Sequence, residues 1–460
     1  MNEDQNTAHD KASGAELTTE ENAPGSVSSS ADDEPIVMPL TEGMEPCDKA
    51  QSAAAEGAAQ KSSSKPKRKI PLGILIAICA LPAASTVLFY ILRLNQEVMA
   101  WFSVSISAPI RRFMAMLTSV FPFSIVELLI TAGIIWLIIH IIKTIIATVH
   151  SGRKLRVLSK RLLVVAVLAL YFWSGFCWLW NSGYHAPGFG ERNGFHREGV
   201  AVEELLATAA FFAEKANELA PLVSRDAEGS FDENRSALFS DSTGIYHNIA
   251  AEFPCLGGKL YRPKPMLFSW VMSRTGYTGM YFALTGEANI NNMMPGAGLP
   301  ATLAHEHAHH LGVFAEDEAS FIGILACVKS DDVVFAYSGY LAGLNYLLRA
   351  MSVAIARADS ELLFDLSGEI RSAQSEILDS LVFEVRRDRW DSYEFWQSQR
   401  TVNTGITIID SALTAVTETV SDAVDAVYDS FLKSQNQELG LQSYGACVDL
   451  LVEYFAPIIP

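Results

Sequence analysis

Three long apolar runs stand out in the chain, and all of them lie within the first 180 residues. They cover residues 70–93, 122–147 and 162–180, and the charged residues inside the second run, Glu127 and Lys143, stand near its two ends. A helix of about 20 residues crosses the roughly 30 Å hydrocarbon core of a bilayer. We therefore predict three transmembrane helices, which makes the lipid bilayer a partner of the chain.

Basic residues flank these runs asymmetrically. They precede the first run (Lys65, Lys67, Arg68 and Lys69) and separate the second from the third (Arg153, Lys154, Arg156, Lys160 and Arg161). Because lysine and arginine favour the cytoplasmic side of a membrane, we expect a cytoplasmic N-terminus and an extracytoplasmic region from residue 181 onward. The first run begins only at residue 70, as expected of an uncleaved anchor and not of a removable signal peptide.

The first 64 residues have a different composition. They are rich in Ala, Ser, Glu, Asp and Gly, contain few aromatic residues and show no hydrophobic periodicity. Such a segment buries too little apolar surface to offset its chain entropy. The sequence therefore predicts a disordered cytoplasmic tail over 1–64, a membrane domain over 65–180 and an extracytoplasmic domain over 181–460.

Beyond residue 180 the pattern indicates a mainly α-helical domain with a small β element. Residues 181–198 are rich in Gly, Asn and His and predict an irregular connector. Residues 259–283 alternate β-branched and aromatic residues with Pro and Gly, which predicts two short strands. Helical spacing of apolar residues recurs over 199–222, 300–311, 316–328, 333–352, 358–384, 403–433 and 442–456.

Net charge and cysteine content narrow the class of protein. The formal net charge is −18 and the C-terminal region has no basic patch, so nucleic acid is not expected as a partner. The six cysteines show no CxxC spacing, which argues against a cysteine zinc site. The sequence leaves open whether Cys255 and Cys447 form a disulfide.

Four of the ten histidines fall in the block HEHAHH. Within it His305, Glu306 and His309 satisfy the pattern HExxH. Pro300 suits the first turn of a helix around the motif, and Gly312 suits its C-terminal cap. On a helix, positions i and i+4 share a face, so the two histidines can bind one metal ion. Glu306 beside them can take a proton from water, so the motif predicts one Zn²⁺ per chain and Glu306 as catalytic base.

A catalytic zinc ion commonly has three protein ligands, so a third ligand is expected shortly after the motif. Glu316 and Glu318 are both candidates at the start of the next predicted helix. We favour Glu316 because Ser320 follows it by one helical turn and can steady a ligand histidine. Glu318 has Ile322 at the corresponding position, although it remains the alternative ligand.

Other polar residues near the motif have supporting roles in this hypothesis. His307 lies on the opposite helix face and His310 is offset from the ligand pair, so neither is expected to bind the metal. His310 is a candidate for a contact that supports the site. Tyr337, Tyr340 and Tyr444 are candidate hydrogen-bond donors to the oxygen that becomes negatively charged during hydrolysis.

The segment TGEANIN, residues 285–291, has the composition of a short strand flanked by turns. We predict that it forms an edge strand that pairs with an extended peptide. Glu287 and the asparagines of the segment are equally compatible with turn positions.

Several stretches are similar to those of an uncharacterised family of bacterial membrane proteins, known as a domain of unknown function. They are KPMLFSW (264–270), TGMYFALTGEANIN (278–291), LPATLAHEHAHHLGVFAEDEASF (299–321), YSGY (337–340) and VYDSFLKSQNQELGLQSYG (427–445). The resemblance runs from about residue 70 to 455. It implies three N-terminal transmembrane helices and a zincin-like metallopeptidase domain of the glutamate type, without a substrate. Ser320 stands where the family usually has Asn, and His307 where another residue is common.

Two functions from different classes fit these observations. The leading expectation is a membrane-anchored zinc metallopeptidase that hydrolyses peptide bonds outside the cytoplasm. The alternative is a non-catalytic zinc-binding membrane sensor or interaction protein with a vestigial peptidase site. A closed metal shell would favour the sensor, whereas an open position beside Glu306 would favour the enzyme.

Overall fold

Helices dominate the part of the chain that the computed structural model describes, which comprises residues 72–196, 199–401, 407–435 and 447–459. This confirms the mainly α-helical class. The predicted tail over 1–64 and the basic residues at 65–69 lie outside the described residues. The helices before residue 182 are α1 (Leu72–Leu92), α2 (Gln96–Phe102), α3 (Ala108–Thr118), α4 (Ile125–Val149) and α5 (Lys154–Phe176).

The remaining chain, called here the C-terminal region (residues 181–460), contains thirteen α-helices in its described part. They are α6 (Ser182–Tyr184), α7 (Phe189–Asn193), α8 (Val202–Leu219), α9 (Arg235–Asp241), α10 (His247–Glu252), α11 (Ser269–Arg274), α12 (Leu299–Leu311), α13 (Glu316–Val328), α14 (Val333–Ser360), α15 (Phe364–Ser380), α16 (Phe383–Arg400), α17 (Thr407–Ser434) and α18 (Cys447–Phe455). Its strands are β1 (Lys264–Pro265), β2 (Gly279–Phe282) and β3 (Glu287–Ile290).

Among the described residues, two helices are long and apolar enough to cross a membrane. They are α4, with a mean hydropathy of 2.5, and the continuous helical stretch Lys154–Tyr184, which begins with α5 and has a mean hydropathy of 2.2. Helix α1 coincides with the first predicted run, but its described side chains, Ile76–Leu92, form a shorter apolar helix. Helices α1 and α4 both pack on α5, and many of their large apolar side chains are exposed. These surfaces are consistent with association with a membrane.

The link between the first two apolar runs is helical and packs against the C-terminal region, which the sequence did not indicate. Arg111 of α3 is 2% exposed and donates hydrogen bonds to Ser107 Oγ at 2.9 Å and to the carbonyl oxygen of Leu179 at 3.0 Å. Its guanidinium group also lies 4.8 Å from the ring centroid of Phe314. The buried arginine thereby connects α3 with the end of α5 and with the chain that follows α12.

The three strands form one small sheet in the order β1-β3-β2, with β1 parallel and β2 antiparallel to β3. The prediction of two short strands in 259–283 is confirmed, because β1 and β2 both fall in that range. The prediction that TGEANIN forms an edge strand was wrong. Its residues 287–290 form the central strand, and β2 is the edge next to it. Glu287 and Asn289 therefore occupy strand positions and not turns.

Two buried carboxylates join the start of α4 to the sheet. Glu287 of β3 accepts hydrogen bonds from the backbone N–H groups of residues 125 and 126, each at 3.0 Å. Glu127, in the first turn of α4, accepts from the N–H groups of residues 267 and 268 at 2.9 and 2.6 Å. Anions are favoured at helix N-termini, and these bonds satisfy N–H groups that the helix itself leaves unpaired. The apolar helices are thus held firmly against the C-terminal region.

The core of the C-terminal region is built from α8, α12, α13, α14 and α18. Phe212, Phe321 and Leu344 are among its fully buried side chains. Because α13 lies in the middle of this packing, nearly all of its side chains from Glu316 to Cys327 are buried, including three carboxylates in its first turn. The core therefore fixes the position of α13.

The structure corrects several helix boundaries. The predicted helix over 358–384 is interrupted twice: α14 ends at Ser360, α15 spans Phe364–Ser380, and α16 begins at Phe383. At the first break Leu362 has a φ of 61°, a left-handed conformation that stops the helix. The predicted connector over 181–198 contains the short helices α6 and α7. Cys255 and Cys447 are both free thiols, so the disulfide that the sequence left open is not formed.

We predict that Glu127→Gln and Glu287→Gln each destabilise the protein by about 1–3 kcal/mol, because an amide cannot accept two backbone N–H bonds with both of its polar atoms. Urea-induced unfolding of the full chain in detergent micelles measures the change. Glu203→Gln is the matched control, since Glu203 lies exposed on α8. Equal stability of all three variants and the native protein would contradict the structural role of the two carboxylates.

Candidate metal centre

A helical hairpin formed by α12 and α13 carries the HExxH motif and the residues after it. Pro300 stands in the first turn of α12, and Gly312 ends the helix with a φ of 97°, in the left-handed region that favours glycine. The chain then reverses, and α13 begins at Glu316. Both helices coincide with their predicted ranges to within one residue, because the local proline and glycine signals determine where α12 begins and ends.

A close contact between the two helices sets their separation. A Cβ atom added to Gly323 of α13 would lie 2.8 Å from the backbone nitrogen of His305 and 3.0 Å from its Cα. Only a residue without a side chain allows this approach. The contact brings the first turn of α13, and with it Glu316, beside the histidines of α12.

Three side chains of this hairpin converge on one point. Oε2 of Glu316 lies 3.2 Å from Nε2 of His305 and 3.3 Å from Nε2 of His309. One ligand atom from each residue lies within 4.8 Å of the others. In the described ranges this is the only group of three His, Cys, Asp or Glu side chains spaced so that it could hold a metal ion. The structure thus brings together the three residues that the sequence favoured as ligands.

Both histidines are held through their other ring nitrogen. Nδ1 of His309 donates a hydrogen bond to the carbonyl oxygen of Val313 at 2.8 Å. Nδ1 of His305 shares a hydrogen bond of 3.3 Å with Oγ of Ser320. Such contacts orient a ligand histidine and leave Nε2 directed at the metal position. Ser320, one helical turn after Glu316, thus makes the contact to a ligand histidine that the sequence predicted.

The alternative ligand, Glu318, lies elsewhere. Its two carboxylate oxygens accept hydrogen bonds from the backbone N–H groups of Phe189 and Gly190, at 2.8 and 2.9 Å. Residues i and i+2 of a helix do not share a face. Glu316 and Glu318 therefore point to different sides of α13, and Glu318 binds the first turn of α7 instead of approaching the histidines.

Burial makes the charges of the site interdependent. Burial lowers the pKa of His309, but the attraction of Glu316 outweighs this effect and raises that pKa to about 9. Burial alone would raise the pKa of Glu316, yet His309 and His305 hold it well below its usual range. In this state the carboxylate is negative and a positive charge resides on an imidazole, which is the charge distribution that a bound cation would replace.

Glu306 stands beside this group and is 3% exposed. Its Oε2 atom is buried and has no hydrogen-bond partner within the described part of the chain. Burial raises the pKa of Glu306 to about 8, with the positive charge of His309 opposing the shift and the negative charge of Glu316 adding to it. The side chain can therefore accept or release a proton near neutral pH.

Two aromatic residues that the sequence did not indicate complete the site. The hydroxyl of Tyr428 in α17 donates a hydrogen bond to Oε1 of Glu316 at 2.7 Å. The ring of Trp180, at the end of the long apolar helix, lies edge-on to His309 with 5.4 Å between ring centroids. Tyr428 is 112 positions from Glu316, and no local pattern connects the two residues. Only the tertiary fold brings them together.

The tyrosines predicted as donors lie in other surroundings. The hydroxyl of Tyr337 donates to Asp388, which also forms an ion pair with Arg225 at 3.0 Å. Tyr340 packs its ring on Phe212, with 5.2 Å between centroids. Neither contacts the ligand histidines, so the structure does not bring these two predicted donors to the site. Tyr444 lies outside the described residues.

The two other histidines of the block are buried away from the ligand pair. His307 shares a hydrogen bond of 3.0 Å with Oγ of Ser242, and burial lowers its pKa to about 3. His310 packs on Tyr281, and burial, with a contribution from Arg111, lowers its pKa to about 4. Both histidines are thus neutral core residues. His310 supports the site only indirectly, through the packing of α12.

The donor set suits a metal ion such as zinc. Two imidazoles and one carboxylate are the ligands of many catalytic zinc sites. Oε2 of Glu316 faces both Nε2 atoms, and Oε2 of the neighbouring Glu306 has no hydrogen-bond partner within the described residues. A buried anionic oxygen without such a partner is costly unless another group compensates it. A cation at this point would provide that compensation.

These features define a mainly helical protein with apolar helices, a small sheet and a candidate metal centre of two histidines and one glutamate. The chain matches the family described as "Protein of unknown function (DUF3810)" over residues 102–452, and it belongs to that family. The expectation of an uncharacterised family is thereby confirmed. No curated protein and no solved structure matches the chain significantly.

We predict that Glu316→Gln weakens zinc binding by more than about 100-fold, because loss of a ligand exceeds the 10- to 100-fold cost typical of losing a group that only supports one. Glu318→Gln should keep zinc and lower thermal stability instead, since it loses contacts to α7. Metal analysis of the purified full chain, with chelator competition, compares the two variants. Equal zinc affinity in both would show that Glu316 is not a ligand.

Proposed function

We propose that this protein is a membrane-anchored zinc metallopeptidase whose C-terminal region acts outside the cytoplasm. His305, His309 and Glu316 hold the zinc ion, and Glu306 is the general base. The observation that carries the proposal is the convergence of these four side chains at one buried point. Their order on α12 and α13 is that of a zincin-like domain of the glutamate type.

The number of ligands supports a catalytic zinc site over a structural one. Structural zinc sites usually have four protein ligands, whereas catalytic sites have three and leave a position open. The described residues offer three, and the carboxylate next to them, Glu306, has an oxygen without a hydrogen-bond partner. A purely structural site has no need for a buried, unpaired carboxylate at that place.

The chemistry follows from these side chains. Zinc, when bound, supplies a Lewis acid that polarises the scissile carbonyl group and lowers the pKa of water. Glu306 accepts the proton of the attacking water and delivers it to the leaving amine. Tyr428 donates a hydrogen bond to Oε1 of Glu316 and so holds the ligand carboxylate in place.

The edge of the sheet offers a place for the substrate. In the antiparallel pair, the N–H group of Asn291 bonds to the carbonyl oxygen of Thr278 at 2.9 Å, so residue 278 faces β3. Alternation then directs the backbone groups of Gly279 and Tyr281 toward the outer edge of β2. Because Gly279 lies against Glu306, a peptide that adds to this edge passes the catalytic base.

The proposed topology has three spans with a cytoplasmic N-terminus, and the arrangement of α4 and α5 supports the orientation of the last two. The start of α4 and the end of the stretch Lys154–Tyr184 lie at the C-terminal region. Because α4 and α5 are antiparallel, the basic residues at 153–161 lie at the opposite end. Positive residues favour the cytoplasm, so the metal centre belongs on the other side of the membrane.

A zinc-binding sensor with a vestigial site is the second candidate. One observation favours it: the hydroxyl of Tyr428 occupies one oxygen of Glu316, and the site is largely covered, with 17% exposure of the His305 side chain. A sensor needs only a folded metal site. The variants below separate the two functions, because they change chemistry without removing the metal ligands.

Glu306→Gln tests the enzyme directly. The amide keeps the shape of the side chain and cannot act as a base, so turnover should fall by a factor of roughly 10² to 10⁴. Zinc content should remain one ion per chain, because Glu306 is not a ligand. Cells of a deletion strain that are complemented with the variant provide the measurement. Full complementation with zinc retained would exclude the hydrolase.

Gly279→Ala tests the alignment of β2 with the base. A Cβ atom at this position would lie 2.8 Å from Cγ of Glu306 and closer still to its Oε1. The side chain must then move, and we expect at least a tenfold loss of kcat/KM without loss of zinc, since small displacements of catalytic groups are costly. Gly368→Ala is the matched control, because no atom lies within 4 Å of the added Cβ. Similar activity of both variants would contradict the proposed alignment.

A further inference from the structure

The candidate metal centre lies directly against the end of the long apolar helix. Trp180 belongs to the π-helical turn Cys177–Asn181 that continues α5. Its ring contacts the ring of His309, with 5.4 Å between centroids, and that of Tyr281 in β2, with 5.5 Å. No spacer separates the site from the predicted membrane span, so the site lies at the level of the membrane surface.

Strand β2 leads from the site toward the membrane. Its first residue, Gly279, lies beside Glu306, and its last, Phe282, stacks on Phe172 of α5 with 6.2 Å between ring centroids. Phe172 precedes Trp180 by eight residues, which corresponds to about 12 Å along a helix. The outer edge of β2 therefore runs from the catalytic base to a level within the predicted span.

Helix α17 flanks the site on another side and reaches the same part of α5. Tyr428 bonds to Glu316, and Phe431, one turn further on, packs on Phe176 with 5.8 Å between ring centroids. Phe172 and Phe176 are four residues apart and share one face of α5. Strand β2 and helix α17, which both lie beside the metal position, thus contact the same face of α5. On this face Phe172 is 50% exposed.

Large apolar side chains are also exposed on α2, on α3 and just after it, and at and just before the start of α11. This apolar collar consists of Trp101, Phe113, Val120, Leu267 and Trp270, each at least 55% exposed. Glu127, in the first turn of α4, binds the backbone of residues 267 and 268, so Leu267 of the collar lies where the apolar stretch of α4 begins. Lipid at the membrane surface is the occupant that fits this continuity with the spans.

We propose that the substrates are membrane-anchored polypeptides, cut in the segment that emerges from the bilayer beside α5. A chain that leaves the hydrocarbon next to Phe172 can add to the outer edge of β2 and reach Glu306 within a few residues, at about 3.3 Å per residue. The scissile bond then lies within about 10 residues of the membrane boundary. This inference rests on the proposed peptidase function.

Mapping of new protein termini tests the substrate class. Membranes and secreted proteins are compared between deletion cells that express the native full chain and cells that express Glu306→Gln. Most cuts that depend on Glu306 should fall within about 10 residues of the outer end of a membrane span or lipid anchor. Dependent cuts in soluble proteins, or far from the membrane, overturn this inference and leave the peptidase intact. The absence of any dependent cut refutes the proposed function and this inference together.

A second measurement tests the position of the site without using activity. A fluorescent amino acid replaces Leu267 of the collar in the full chain, which is reconstituted in nanodiscs that contain brominated phosphatidylcholine. The control position is Leu222, which is similarly exposed. Leu222 is close to Arg225, which bonds to the first part of α16, whereas α11, next to Leu267, bonds to the opposite end of α16. Quenching at position 267 should be at least twofold stronger than at 222. Equal quenching would show that the collar does not touch lipid and would overturn the inference.

Discussion

The close packing of α12 on α13 is the constraint on which the candidate metal centre depends. Gly323 allows the two helices to approach until backbone contacts backbone, and Glu316 thereby reaches both histidines. Three ionisable side chains are then buried together, and burial penalises each isolated charge. The group is stable only because the negative charge of Glu316 and the positive charge on the imidazoles compensate each other. A bound cation would meet the same electrostatic requirement.

The sequence predicted the parts of the site that rest on local signals. Pro300, Gly312 and the HExxH spacing defined α12, and the one-turn relation of Glu316 to Ser320 selected the third candidate ligand. Tyr428 and Glu316 are 112 positions apart, and no local sequence pattern indicates their contact. The tyrosines near the motif in sequence were misleading for the same reason, since proximity along the chain does not place a side chain on the correct helix face.

In the fold, too, some features follow from local sequence patterns and others depend on contacts between distant segments. Long apolar periodicity predicted the helices well, whereas the breaks between α14, α15 and α16 depend on single residues such as Leu362 in the left-handed conformation. The role of β3 as the central strand depends on its pairing with β1, and such pairing is not encoded in the segment itself. The helical link at residues 96–118 became recognisable only through its contacts, in which the buried Arg111 joins the end of α5 to the chain after α12.

Two glutamates in the first turn of α13 connect the candidate metal centre with the chain that follows the long apolar helix. Glu316 faces the histidines, while Glu318 binds the N-terminus of α7, a few residues after the long apolar helix ends. Any movement of the connector at 182–193 relative to the helical hairpin would therefore pull on the same helical turn that carries the candidate ligand. Glu287 connects β3 with the start of α4, and Glu127 connects the start of α4 with residues 267 and 268. Because both connections use buried carboxylates bound to backbone N–H groups, they have little freedom to stretch. The apolar helices thus help to position the site. The contacts fix both the position of the site along these helices and its orientation relative to them.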